Sequence, residues 1–116
     1  MSVHMRPSQA LRLWQETALD EVRSGHPDLS FRQAAILLTI YLDPPPHTIR
    51  ALAARLGVTK PVITRALDTM GAMNLVSRHR DPDDRRNVLV RRTVEGALYV
   101  ERFGDRIVAK AAGLPL

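Results

Sequence analysis

The sequence predicts a mainly α-helical fold that carries one small β-hairpin. Apolar residues recur at steps of three and four along most of the 116 residues, the spacing that lines one side of a helix. That period gives way to alternation only in Leu75–Arg80 and Val88–Arg92, on either side of a run of turn-forming residues, which is the pattern of a hairpin. With 45% hydrophobic and 25% charged residues, the whole of 1–116 reads as a single globular domain. Aromatics make up only 4%, so the core has to be built from Leu, Ile, Val and Ala.

The first helix is expected from Pro7 to Ser24, capped by Ser8 with Pro7 outside. Leu11, Trp14, Ala18 and Val22 share one of its faces. Gly25-His26-Pro27 ends it, since Gly permits a left-handed cap and Pro cannot continue a helix. Ser30 then caps a second helix to about Leu42. It is apolar nearly all round, which suits the centre of a domain; a buried strand is the competing reading, and the length of the run favours helix. Pro44-Pro45-Pro46 breaks the chain and stiffens the connection. Thr48 caps a short helix, Ile49 to Leu56, which Gly57 ends. Thr59 caps the next, which opens with Lys60-Pro61 and runs to about Met73; Pro costs little there because first-turn N–H groups lack helical partners. Asn74 stops it. The two strands follow, and Thr93 caps a last helix to about residue 112 with Val94, Ala97, Val100, Phe103, Ile107 and Ala111 along one side.

The net charge of +5 is unevenly placed. Residues 1–48 hold 4 basic and 5 acidic side chains, residues 49–93 hold 10 and 4, and residues 94–116 hold 3 of each. A basic middle between neutral flanks is the footprint of a module that binds a polyanion. The densest local signal lies inside it, from Leu52 to Leu67. Ala53 permits close crossing of two helices, Gly57 tolerates the positive φ of a tight turn, and Leu52, Leu56, Val58, Ile63 and Leu67 are spaced to pack between them. This is a helix-turn-helix pattern. Its second helix leaves Thr59, Lys60, Pro61, Thr64, Arg65 and Asp68 outside. Lys and Arg can donate to guanine or pair with phosphate, and Thr offers a hydroxyl and a methyl to bases. A helical hairpin with a solvated face is the plainer alternative.

The hairpin tip, Arg80 to Asn87, is the second signal. Arg85 and Arg86 at such a tip can enter a narrow minor groove, whose negative potential attracts arginine. Asp84 is expected to hold Arg86 in the fork geometry that suits Arg and carboxylate. An exposed turn whose charges cancel is the alternative. Together the two signals predict a winged helix-turn-helix, with a DNA-binding core at 30–93 and flanking helices at 7–25 and 94–112.

These residues resemble the MarR family of winged-helix regulators. The resemblance runs through Thr48-Ile49-Arg50-Ala51-Leu52-Ala53, Val62-Ile63-Thr64-Arg65-Ala66-Leu67-Asp68, Leu75-Val76-Ser77-Arg78, Asp81-Pro82-Asp83-Asp84-Arg85-Arg86 and Thr93-Val94-Glu95-Gly96, about half the chain. It implies that the helix from Lys60 is the recognition helix and that Arg86, held by Asp84, is the minor-groove arginine. It also implies a homodimer on a pseudo-palindromic operator, joined through the first and last helices, and a small-molecule effector between the two lobes. The chain departs from the family in three respects. One helix follows the wing where the family commonly has two, so the usual dimer is expected to be altered, lost or built from the first helix and the 94–112 helix alone. Asn74 stands where Gly is typical; Asn also adopts the left-handed conformation. There is no Cys, which removes thiol sensing, disulfides and thiolate metal sites.

The expected function is sequence-specific regulation of transcription on double-stranded DNA. Arg50, Arg78 and Arg80 would position the chain on phosphates. Thr59, Lys60, Pro61, Thr64 and Arg65 would read bases, while Asp84, Arg85, Arg86 and Asn87 would form the wing contact. A protein-interaction module and a non-specific nucleic-acid binder are the rival readings. No nucleophile elbow, phosphate loop or paired-carboxylate motif suggests an enzyme. No cofactor or metal is expected, and His4, His26, His47 and His79 are scattered as surface or loop residues. Trp14 is assigned to core or interface ahead of a ligand cleft. No apolar run of signal-peptide type or membrane-spanning length appears, so the expected compartment is the cytoplasm, with no membrane partner.

Overall fold

The computed structural model describes residues 3–115. Its elements are α1 (Pro7–Arg23), α2 (Phe31–Leu42), β1 (His47–Thr48), α3 (Ile49–Leu56), α4 (Lys60–Ala72), β2 (Val76–Arg80), β3 (Val88–Arg92) and α5 (Val94–Ala112). They form two compact units. Leu29–Val100 make one; the segments up to Asp28 and from Glu101 make the other.

Within Leu29–Val100, local chemistry sets each boundary. Ser30 and Gln33 cap α2 reciprocally: Ser30 Oγ accepts from the Gln33 N–H at 3.0 Å and Gln33 Oε1 from the Ser30 N–H at 2.8 Å. Thr48 Oγ1 accepts from the Ala51 N–H at 3.0 Å and starts α3. Asn74 ends the α4 segment with φ 58°, as its side chain permits. Burial then joins the elements. Ile36, Leu37 and Ile40 of α2, Leu52 and Ala53 of α3, Ile63, Ala66, Leu67 and Met70 of α4, and Leu75, Val76 and Val90 around the sheet form one core.

The sheet has three strands, not the two of the expected hairpin. Its order is β1-β3-β2, all antiparallel, with His47 opposite Val90 and Val76 opposite Arg92. A two-residue strand next to three prolines carries no alternation to read. His47 is correspondingly not a surface or loop residue: it is buried, with Nε2 3.2 Å from the Asp43 carbonyl. The sheet is tied to the helices by hydrogen bonds from Arg92, Tyr41 and Thr93. Arg92 donates from Nε to the Ile40 carbonyl (2.8 Å) and from Nη2 to the Asp43 carbonyl (2.9 Å), satisfying carbonyls at the end of α2 that lack helical partners. The Tyr41 hydroxyl accepts from the Thr93 N–H at 3.0 Å and donates to the Leu75 carbonyl at 2.8 Å. Thr93 Oγ1 donates to the Asn74 carbonyl (2.7 Å) and accepts from the Gly96 N–H (2.9 Å), which caps α5.

In the other unit, α1 begins differently from the sequence expectation. Arg6 is the N-cap and Pro7 the first helical residue, a position where the fixed φ and missing N–H of Pro are favourable; Ser8 lies inside. The apolar stripe is not the covered face. Leu11, Trp14 and Val22 are 70%, 54% and 64% exposed, while Thr17 is buried and Leu13, Glu16 and Asp20 are half-buried. Arg106 pairs with Glu21 and Asp20, and Lys110 with Asp20 at 3.3 Å, so ion pairs join α1 to the end of α5.

At Gly96 a Cβ would fall on the Tyr41 hydroxyl and the Leu75 carbonyl. Gly96→Ala should therefore lose about 1–3 kcal/mol in urea unfolding, through overpacking. At Gly71 a Cβ would meet nothing within 4 Å, so Gly71→Ala should be neutral or stabilise by up to about 1 kcal/mol. Equal effects at the two sites would contradict the packing described.

Candidate nucleic-acid interface

The turn between α3 and α4 follows from one residue. Gly57 takes φ 69°, ψ 34°, the left-handed region where a side chain is strained, and the Val58 N–H then donates to the Ala53 carbonyl at 3.0 Å. Thr59 is the N-cap of α4, yet its side chain makes no capping bond. Pro61 has no N–H, and the Val62 N–H donates to the Thr59 carbonyl at 3.1 Å, so of the first turn at most the Lys60 N–H is left for an outside acceptor, where the helix dipole favours an anion.

One side of α4 is fixed by the core. Ile63, Leu67 and Met70 are sealed, so the opposite side must face out. Thr59, Lys60, Pro61, Arg65 and Asp68 are exposed and Thr64 is half-buried. Lys60, Thr64 and Asp68 are four residues apart, one above another on the helix. No acidic residue lies in the first turn, and among the described residues no salt bridge engages Lys60 or Arg65.

The wing is a closed, hydrogen-bonded loop on the β2–β3 ladder. The Asp81 N–H donates to the Asn87 carbonyl (3.1 Å), the Asn87 N–H to the Asp84 carbonyl (2.9 Å), and the Asp83 N–H to Asp81 Oδ1 (2.9 Å). Arg80 reaches across the tip, donating from Nη1 to the Arg85 carbonyl at 2.9 Å. Asp84 Oδ1 accepts from the Arg86 N–H at 3.1 Å and from its Nε at 3.2 Å, and Oδ2 lies 3.4 Å from Nη2. The Arg86 side chain nevertheless remains 84% exposed. The guanidinium is thus held in one direction without being hidden. The Arg86 side chain, then its backbone N–H, stabilise the Asp84 carboxylate and hold its pKa below the ordinary 3.8; the charge of Arg50 adds to this.

Two predicted site residues also make contacts within the chain. Arg78 Nη2 lies 2.7 Å from Asp68 Oδ1, joining the base of the wing to α4, and Arg80 spends one donor on the tip. The partner of Arg78 was not legible locally: Asp68 is ten residues away, and a pairing across two elements leaves no periodic trace. Arg92 and Tyr41, which fix the wing's base, were also missed. Among the described residues no group of His, Asp or Glu could hold a metal ion, and no helix is long and apolar enough to cross a membrane.

A MarR family model matches residues 28–87, which include α2, the helix-turn-helix and most of the wing. The chain belongs to the MarR family. No curated protein matches. Solved structures do. The chain is similar to MepR of S. aureus, solved as a DNA complex, at 20% identity over 88% of this chain and 82% of MepR, TM-score 0.75. CouR, a transcriptional repressor bound to a 23-mer DNA duplex, is 22% identical over 90% and 71% of the two chains, TM-score 0.71. The PcaV regulator of Streptomyces coelicolor, solved with its natural ligand, is 27% identical over 95% and 80%, TM-score 0.64. The fold is that of MarR winged-helix transcriptional regulators.

The Asp84 pairing has a measurable consequence. A carboxylate with a depressed pKa contributes wing order that is present above the ordinary value and is lost as pH falls through the lower folded value. NMR titration of the Asp84 carboxyl should show a midpoint below 3.8, moving up in Arg86→Ala. A midpoint at or above the ordinary value would contradict the pairing.

Proposed function

We propose that the chain is a sequence-specific regulator of transcription that binds double-stranded DNA as a homodimer. The observation that carries this reading is the exposed, cationic start of α4 on the same compact unit as a hydrogen-bonded wing whose tip presents Arg86. In this reading Thr59, Lys60, Pro61, Thr64 and Arg65 enter a major groove and read base edges. Arg86, aimed by Asp84, enters the adjoining minor groove with Arg85 and Asn87 beside it. Arg50 and Arg80 bind phosphate, as does the Lys60 N–H at the start of α4. Two structures of the same fold, MepR and CouR, are DNA complexes, which supports a duplex as the partner.

The homodimer reading is supported by the apolar stripe of α1. Leu11, Trp14 and Val22 line up on a surface that a lone chain leaves largely in water, as does Val108 of α5, and apolar patches of this kind mark association surfaces. Residues 30–93 would then be the DNA-binding core and the flanking helices at 7–25 and 94–112 the dimerising part. In a two-fold dimer the recognition helices should lie roughly 34 Å apart to meet successive major grooves. The operator would be pseudo-palindromic. A small-molecule effector belongs to the same proposal, since PcaV is solved with its natural ligand.

Selection of bound duplexes from a random pool should recover a pseudo-palindrome bound with Kd on the order of 10⁻⁸–10⁻¹¹ M at physiological salt. Arg65→Ala or Arg86→Ala should weaken that complex roughly ten-fold or more and relax preference at one position. Leu11→Glu should reduce both the dimer in sedimentation and the affinity. Recovery of no shared sequence, with salt-dependent binding retained, would favour a non-specific binder. Absence of DNA binding at low salt would favour a protein-interaction module.

A further inference from the structure

Asp68 is an anomaly in the proposed DNA-binding face. It sits two turns beyond Lys60 and one beyond Thr64 on the same side of α4, with its side chain 59% exposed. A carboxylate there repels phosphate. It is also positioned to take Arg78, whose Nη2 lies 2.7 Å from Asp68 Oδ1 with the Arg78 side chain 36% exposed. Arg78 stands on β2 opposite the buried Val90, so its backbone is fixed by the core while its side chain reaches the helix.

We infer that Asp68 is a specificity-determining residue, and that Arg78 is a positioning residue and not a phosphate contact. Resting on the DNA reading above, the inference is that the pair forms a charge-neutral brace. It sets the distance of the wing base from the recognition helix and withholds one arginine from the DNA backbone. Withholding a cation matters more for the wrong DNA than for the right one. Non-specific complexes depend almost wholly on phosphate neutralisation, whereas the specific complex adds base contacts from α4. A brace that spends Arg78 internally therefore lowers binding to arbitrary duplex and preserves the ratio that gives selectivity. Exposed ion pairs add little stability, so an electrostatic and geometric role accounts for this one better than a role in folding.

A double-mutant cycle on the salt dependence of binding tests this, using a labelled 40-bp duplex of mixed sequence and the full chain. Each cation that reaches phosphate steepens the slope of log K against log salt by about 0.9. Asp68→Asn, isosteric and exposed, should release Arg78, steepen the slope by about that amount and tighten mixed-sequence binding roughly five-fold at about 0.15 M salt. Asp68→Asn with Arg78→Gln should return the slope to the wild-type value. Arg78→Gln alone bares the Asp68 carboxylate and should weaken both duplexes, the one recovered by selection more, because it also loses the brace. A slope reduced by about 0.9 in the double variant, or unchanged in Asp68→Asn, would overturn the inference while leaving the DNA reading intact. A wild-type chain that binds neither duplex would overturn both.

Discussion

Ile63, Leu67 and Met70 have no exposed surface, and their burial fixes the roll of α4 about its own axis. A helix can turn only one face to a core. Once those three residues are sealed against α2, α3 and the sheet, the side bearing Lys60, Pro61, Thr64, Arg65 and Asp68 has to face outward. Each of the three is a large apolar residue whose removal would cost about 2–5 kcal/mol, so the orientation of the outer face is strongly held. Gly57 and Ala53 serve the same constraint from the other end, one by making the turn and the other by letting α3 approach.

The wing depends on a second layer of interactions, made with hydrogen bonds instead of apolar area. Tyr41, Thr93 and Gly96 lock the foot of β3 to α2 and to the segment before β2. Arg92 closes the end of α2 onto the same strand. At the tip, Asp84 and Arg80 spend their polar atoms on the loop itself. The acidic residues that look out of place in a cationic surface thus have a mechanical purpose. They convert flexible arginines into directed ones, which lowers the entropy lost when a partner is engaged.

Most of the helical layout was legible because it is written locally. Gly57, Asn74, Thr48 and Ser30 punctuate the chain, and each acts through groups within a few residues of itself. The Asp84–Arg86 pair was legible for the same reason. The features that escaped reading are those made between distant segments. β1 exists only because β3 offers it a ladder, and His47 is buried by that pairing. Arg78 finds Asp68 only after the core has placed β2 beside α4. On α1, periodicity identified a real apolar stripe but could not say whether it meets its own chain; in this unit Thr17 and its neighbours are the covered side.

In the proposed function one surface, the start of α4 together with the wing tip, meets the duplex. Amide chemical-shift mapping during titration with a duplex recovered by selection tests it most directly. Shifts and broadening should concentrate at residues 59–65 and 84–87, with the buried residues behind them moving little. A map centred on α1, or on the outer end of α5, with α4 and the wing unperturbed, would contradict it.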